Sequence, residues 1–212
     1  MLVTGVPTDG ADLVLDLRLT AVPWRAEAWR RAIETVQGAC PAPGWPGLRF
    51  EAPRRSPFAL GLDSEAMFTC ALALHLTLRG TPCLSIDDQT RLGEASVRAG
   101  LCRDLIGLRK GEVALRRGDQ RPLAQEKTVV GFLREYEAER LAIVFNLGRR
   151  KRSARLPLGF AWTTLAGNGP SVGTRITSGE IDLPPCGWAI NRAGAPIART
   201  LGGRGNQRAS GS

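Results

Sequence analysis

The chain is expected to fold as a short α/β part followed by an all-β antiparallel sandwich. Three observations lead there. Up to about residue 111, short apolar runs alternate with helical patterns, the order of strand–helix units on a parallel sheet. Beyond it, short alternating runs are separated by Gly, Pro and Asn turns, the spacing of an antiparallel β domain. Finally, 43% hydrophobic and 23% charged residues over 212 positions are ordinary for a globular protein with one sizeable core or two small ones.

In chain order, "ADLVLDLRL" places Leu13, Leu15, Leu17 and Leu19 on one face of a strand. "PWRAEAWRRAIETVQG" follows with Trp29, Ile33 and Val36 at i, i+4 and i+7, an amphipathic helix with Gly38 as its stop. After the loop "CPAPGWPG" comes a short strand, "GLRFEA". Asp63 or Ser64 is placed to cap a helix from Glu65 to about Leu78 that is apolar on most sides and therefore buried. "RGTPCLSI" leads into a strand at Cys83 to Ile86. The last helix, about Ala95 to Arg109, aligns Leu101, Leu105 and Leu108 and ends at Gly111.

"TVVGFLREYEAERLAIVFN" opens the β part as a hairpin whose loop, "EYEAE", is read as a longer one. Leu141, Ile143 and Phe145 alternate with Ala142 and Val144, so this strand is expected to be covered on both faces. "SARLPL", "FAWTTLAG", "TRITSGEIDLPP" and "GWAIN" continue as strands. The Gly-, Ser- and Arg-rich tail is expected to be disordered. The expected division is therefore 1–111, 112–192 and a tail over 193–212.

The formal charge is +9, and all but three of the 29 basic residues are arginine, the lysines being Lys110, Lys127 and Lys151. Such a balance favours polyanions. A GC-rich genome, which raises Arg, Ala, Gly and Pro together, accounts for it better, so nucleic acid is not the expected partner. The densest basic run, Arg149 to Arg155, reads as a turn and a solvated strand edge without aromatic interleaving. Cys40, Cys70, Cys83, Cys102 and Cys186 are odd in number and lack CxxC spacing, which argues against a zinc site or a disulfide framework. Small buried thiols in a reducing cytoplasm are expected. The N-terminus lacks signal-peptide character, and the longest apolar stretch, Ala66 to Leu78, falls short of the roughly 20 residues of a membrane span. A soluble cytoplasmic protein without metal or cofactor is expected.

No catalytic constellation emerges from the residues themselves. "RGTPCLSIDD" fails as a phosphate loop, and Asp87 and Asp88 would point to opposite faces of a strand. His75 lies inside the apolar helix, and Thr77 and Cys83 have no local activating partner. Trp162 and Trp188 are candidate exposed stacking faces on the β domain, weighed against burial in the core.

Six stretches, taken in order, resemble the C-terminal third of glycoside hydrolase family 13, the α-amylase family, and especially its α-glucosidase and trehalose-synthase-like members. "ADLVLDLRLTAVPW" resembles the sixth barrel strand and "GWPGLRFEAPRRS" the approach to the seventh. "AMFTCALALHLTLRGTPCL" is similar to the buried helix and Gly-Thr-Pro lead into the eighth strand. "LCRDLIGLRKGEVALRRGD" looks like the last barrel helix. "VVGFLREYEAERLAIVFNLG" and "IDLPPCGWAI" resemble the hairpin and closing strand of the C-terminal β domain. The resemblance implies an α/β partial (β/α) barrel fragment of about three strand–helix units ahead of the sandwich. It also implies retaining chemistry on α-glucosides by paired carboxylates.

Both of those carboxylates lie upstream of the matched region in the family. At the third, an Asn-His-Asp motif, the sequence reads "EAPRR", about Glu51 to Arg55. The eighth-strand rim, aromatic in the family, reads Ser85, Ile86, Asp87, Asp88, Gln89. No family catalytic residue carries over, so the site prediction is no catalytic residue and no metal. The expectation is a truncated, degenerate chain, inactive alone. Its partner would be an α-glucan or maltooligosaccharide, or a second chain holding the missing barrel half. A non-catalytic carbohydrate-binding module is the alternative, and a basic nucleic-acid-associated protein the third.

Overall fold

The computed structural model describes residues 3–4, 14–16, 19, 22–41, 44–49, 64–84 and 97–196. Among the described residues the first part holds four parallel strands in sequential order: β1 (Val3–Thr4), β2 (Val14–Asp16), β3 (Pro46–Arg49) and β4 (Thr81–Cys83). Helix α1 (Ala26–Ala39) joins β2 to β3, and α2 (Ser64–Thr77) joins β3 to β4. Helix α3 (Val97–Gly111) follows β4, and a single turn, α4 (Val113–Arg117), leads into the β part. The sequence pattern had not shown β1, and it stretched β2 too far, since Leu19 lies buried in a turn.

Helix α1 buries Trp29, Ile33 and Val36, as their spacing requires. Gly38 does not stop it, because the helix continues to Ala39. Helix α2 has no polar face. From Cys70 to Leu78 every residue is buried, including His75 and Thr77. The cap expected at Asp63 or Ser64 lies outside the described side chains. Gly80, at φ +136°, turns the chain into β4, and a Cβ there would stand 2.6 Å from the Pro46 carbonyl oxygen, so only glycine fits.

The β part is one six-stranded antiparallel sheet and one two-stranded ribbon. The sheet contains β5 (Asp119–Pro122), β6 (Val129–Tyr136), β7 (Glu139–Asn146), β9 (Phe160–Gly167), β10 (Arg175–Ile176) and β12 (Trp188–Pro196), in the order β10-β9-β12-β7-β6-β5. The ribbon pairs β8 (Arg152–Arg155) with β11 (Glu180–Leu183). The second sheet of the expected sandwich is this two-stranded ribbon alone. The ribbon covers one face of the large sheet, and helices cover the other. Periodicity reports that a face is buried but not what buries it. The β6–β7 hairpin also closes more tightly than expected. Tyr136 pairs with Glu139, leaving a two-residue turn in which Glu137 takes φ +50°. At the other end, β12 runs to Pro196, past the expected start of the tail.

Strand β7 divides the molecule. Leu141, Ile143 and Phe145 join a core that takes in α1, α2 and α4. Ala142 and Val144 join a second core with Ala154, Trp162, Ile181 and Leu183. Both faces are covered, as the alternation predicts. The larger core runs without a break from Trp29 in α1 to Ile190 in β12, so it crosses the expected boundary near residue 111.

What ties the layers together is the C-terminal end of α2. The last carbonyls of a helix have no partner within it, and here they are buried. Thr77 Oγ1 donates back to the carbonyls of Ala73 (2.8 Å) and Leu74 (3.1 Å). Arg109 from α3 donates to Leu76 (2.8 Å), Leu78 (3.2 Å) and Gly80. Arg134 from β6, wholly buried, donates to Thr77 (2.8 Å), Leu115 (3.0 Å) and Gly118 (2.9 Å). Arg79 reaches the other way, to Cys40 (2.9 Å), Gly44 and the Gln37 side chain (3.1 Å), with Trp45 under its guanidinium at 5.0 Å. Cations near a helix C-terminus also oppose its dipole.

Burial lowers the Arg134 guanidinium to about 9, with Arg109 and Arg79 adding repulsion, and burial lowers Arg109 to about 10. Both keep their proton at neutral pH. Replacing Arg134 by Met should strand three buried carbonyls and cost about 3 kcal/mol or more, read as a shift of the urea midpoint. Arg134→Lys should not restore it, because a point charge cannot span the three acceptors. Gly107, inside α3, has open space where a Cβ would stand. Gly107→Ala is therefore expected to stabilise the chain by about 0.5–1 kcal/mol in the same measurement.

Candidate functional site

In parallel α/β sheets, ligands sit beyond the carboxyl ends of the strands, and the opposite edge serves stability. Here the carboxyl edge lies after Asp16, Arg49 and Cys83, where helices α2 and α3 also begin. Its described features are few. Arg98, at the start of α3, pairs with Glu65 at the start of α2 (2.6 Å) and lies over the Phe68 ring at 4.4 Å. This pair raises the Arg98 guanidinium and joins the two helix starts across the rim. The sequence-predicted rim stretches, Glu51 to Arg55 and Ser85 to Gln89 with Asp87 and Asp88, lie outside the described residues.

The arginine cluster occupies the other edge. Helix α2 begins at the carboxyl edge and ends at the amino edge, so Arg79, Arg109 and Arg134 gather where such folds are stabilised. Their forks are taken up by main-chain carbonyls and, for Arg79, also by the Gln37 side chain. Despite three positive charges, the cluster is built to hold a helix end and not an anionic ligand.

The remaining candidates resolve in the same direction. His75 is buried among the apolar residues of α2. The Thr77 hydroxyl is committed to its own helix. Cys83 is half-buried, its sulfur 3.5 Å from the Thr81 carbonyl, and burial pushes its thiol up, away from thiolate chemistry. Trp162 is fully buried, its Nε1 donating to Pro157 (2.8 Å), and Trp188 is buried as well. Neither offers a stacking face, so the carbohydrate-binding alternative loses the two residues it was built on. Arg149, Arg150, Lys151, Arg152 and Arg155 are exposed along a turn and the edge strand β8, as expected. Among the described residues no three His, Cys, Asp or Glu side chains come together to hold a metal. No described helix is long and apolar enough to cross a membrane.

Sequence reasoning missed one concave surface. A groove of about 680 Å³ opens on the β part, beside β11 and the turn at Gly169 and Pro170. Its rim carries Lys151 and Asp182, paired at 2.7 Å, with Ser153 and Glu180 close by. Nothing local announces it, since its walls come from three separate stretches.

No protein-family model matches the sequence, and no curated protein is significantly similar. Solved structures do share the fold. An α-amylase from Anoxybacillus superposes with a TM-score of 0.69 at 18% identity, over 89% of this chain and 48% of its own. An α-amylase from H. orenii gives 0.64 at 16%, over 87% and 49%. A trehalulose synthase from Pseudomonas mesoacidophila gives 0.68 at 14%, over 87% and 51%. The chain thus spans about half the length of the structures it matches.

Cys70 offers a check on the buried thiols. Burial pushes its thiol well above the usual value, and the nearby Cys186 adds to this. The unfolded chain therefore releases this proton first. The stability it contributes is complete below about pH 9 and is lost as pH rises further. Cys70→Ala should flatten the fall of the urea midpoint above about pH 9.

Proposed function

We propose that the chain is the later part of an α-amylase-family barrel together with its C-terminal β domain, serving carbohydrate metabolism and inactive by itself. The observation that carries this is the order of the layers. Among the described residues four parallel strands with their helices precede one antiparallel sheet, and 87–89% of the chain superposes on α-amylase and trehalulose synthase structures. One related structure, an isomaltulose synthase from Erwinia rhapontici, is described with sucrose as its natural substrate, which supports an α-glucosidic ligand class.

On this reading β1 to β4 are part of an eight-stranded barrel. The complementary strands would come from further residues of a longer polypeptide or from a second chain. Parallel strands are normally paired on both sides and covered on both faces, so a four-stranded piece gains most from such a complement. The nucleophile and general acid of the family belong to those other strands. The division proposed for the chain itself stays near residue 111, with α4 as the link.

With 4-nitrophenyl α-glucoside or maltotriose, the purified chain should give no turnover above background. A rate typical of enzymes, on the order of 10 per second, would overturn the assignment of both catalytic carboxylates to other strands.

A further inference from the structure

We propose that the groove beside β11 is a binding site for a neutral sugar, separate from the carboxyl edge of the parallel sheet. Its volume, about 680 Å³, lies within the range of small-ligand sites and accommodates a short oligosaccharide. The polar groups stand on the outward side of the ribbon. Glu180 and Asp182 are exposed, while Ile181 and Leu183 between and beyond them point into the core. Ser153 lies directly across from Asp182 in the β8–β11 register. Two positions along a strand separate Glu180 from Asp182 by about 6.5 Å, so the two carboxylates address different parts of one ligand.

The chemistry selects a polyol. Lys151 Nζ and Asp182 Oδ2 form a donor and an acceptor 2.7 Å apart. Vicinal ring hydroxyls each donate and accept, so one can bond the ammonium while its neighbour bonds the carboxylate. The main chain of Glu180 is tied to the Ser178 hydroxyl, and among the described residues its carboxylate has no partner. Pro170, Ile176 and Pro184 also line the groove, an apolar complement to the faces of a pyranose.

Charge argues against an anionic ligand. Lys151 balances Asp182, and Glu180 leaves the lining one negative charge, while the nearby Arg155 pairs with Glu126 at 3.9 Å. A neutral polyol can use all three charged groups as hydrogen-bond partners, and spermidine is the control for a cation. The groove itself does not depend on the proposed family, but the choice of an α-glucan as the sugar rests on that reading.

The test is a titration of the ¹⁵N-labelled chain with maltotriose, followed by amide shifts. Saturable shifts at Ser153, Glu180 and Asp182 are expected, with a millimolar dissociation constant. Asp182→Ala and Glu180→Ala should each weaken binding about tenfold. Both side chains are exposed, and an unchanged urea midpoint will show that the variants fold. Absence of shifts up to about 50 mM sugar, or binding that survives unaltered in Asp182→Ala, would overturn the site. So would spermidine shifting the same amides while maltotriose does not, since the ligand would then be a cation. Cellotriose binding in the groove with maltotriose silent would uphold the site and count against the α-glucan reading. An active chain with a sugar-binding groove would uphold the site and reject the proposed inactivity.

Discussion

The C-terminal end of α2 sets the terms for everything around it. A helix with no polar face has to be enclosed, and enclosing it strands the carbonyls of its last turn. Water cannot reach them, so the protein supplies donors from elsewhere. Arg109 arrives from the next helix and Arg134 from the second strand of the antiparallel sheet, fifty-seven positions from the carbonyl it meets at Thr77. Arg79 sits between and binds the loop after α1. Each guanidinium spans several acceptors at once, which a lysine cannot do. The α/β layer and the β sheet are consequently joined by directional bonds as well as by apolar contact, and their relative orientation follows from the placement of these forks.

Much of the local structure was legible. Trp29, Ile33 and Val36 marked the inner face of α1, and five alternating apolar residues marked β7 as doubly covered. The apolar run of α2 and the glycine turn after it were equally plain. What failed to show was long-range. Arg134 lies within "VVGFLREY", where an arginine on a strand reads as solvent-facing, yet it is wholly buried because its acceptors belong to α2 and the turn around α4. The two-residue turn at Glu137 and Ala138 was hidden because neither residue is a usual turn former. The second layer over the large sheet proved to be a ribbon on one side and helices on the other, a choice that periodicity does not encode.

For the functional surface the division is similar. The places of His75 and Thr77 could be read from their neighbours in the sequence, since an apolar run encloses both and Thr77 bonds within its own helix. Trp162 and Trp188 illustrate the limit of that approach. An indole serves a core or a sugar equally well on composition alone, and only the packing of β9 and β12 places both inside. The groove is the reverse case: Lys151 pairs with Asp182 across thirty-one positions, and neither residue is distinctive alone.

The doubly covered strand has a consequence for mutational history. Most strands keep one tolerant side, where polar replacements drift in at little cost. From Leu141 to Phe145, β7 has none: each side chain answers to one core or the other, and volume changes are felt in both directions. Substitutions there are confined to apolar residues of similar size, and acceptable pairs must arise on the same short stretch without disturbing either layer. Such a segment works as a ratchet. Once two layers have come to depend on one strand, neither can be exchanged for a foreign module without rebuilding the other.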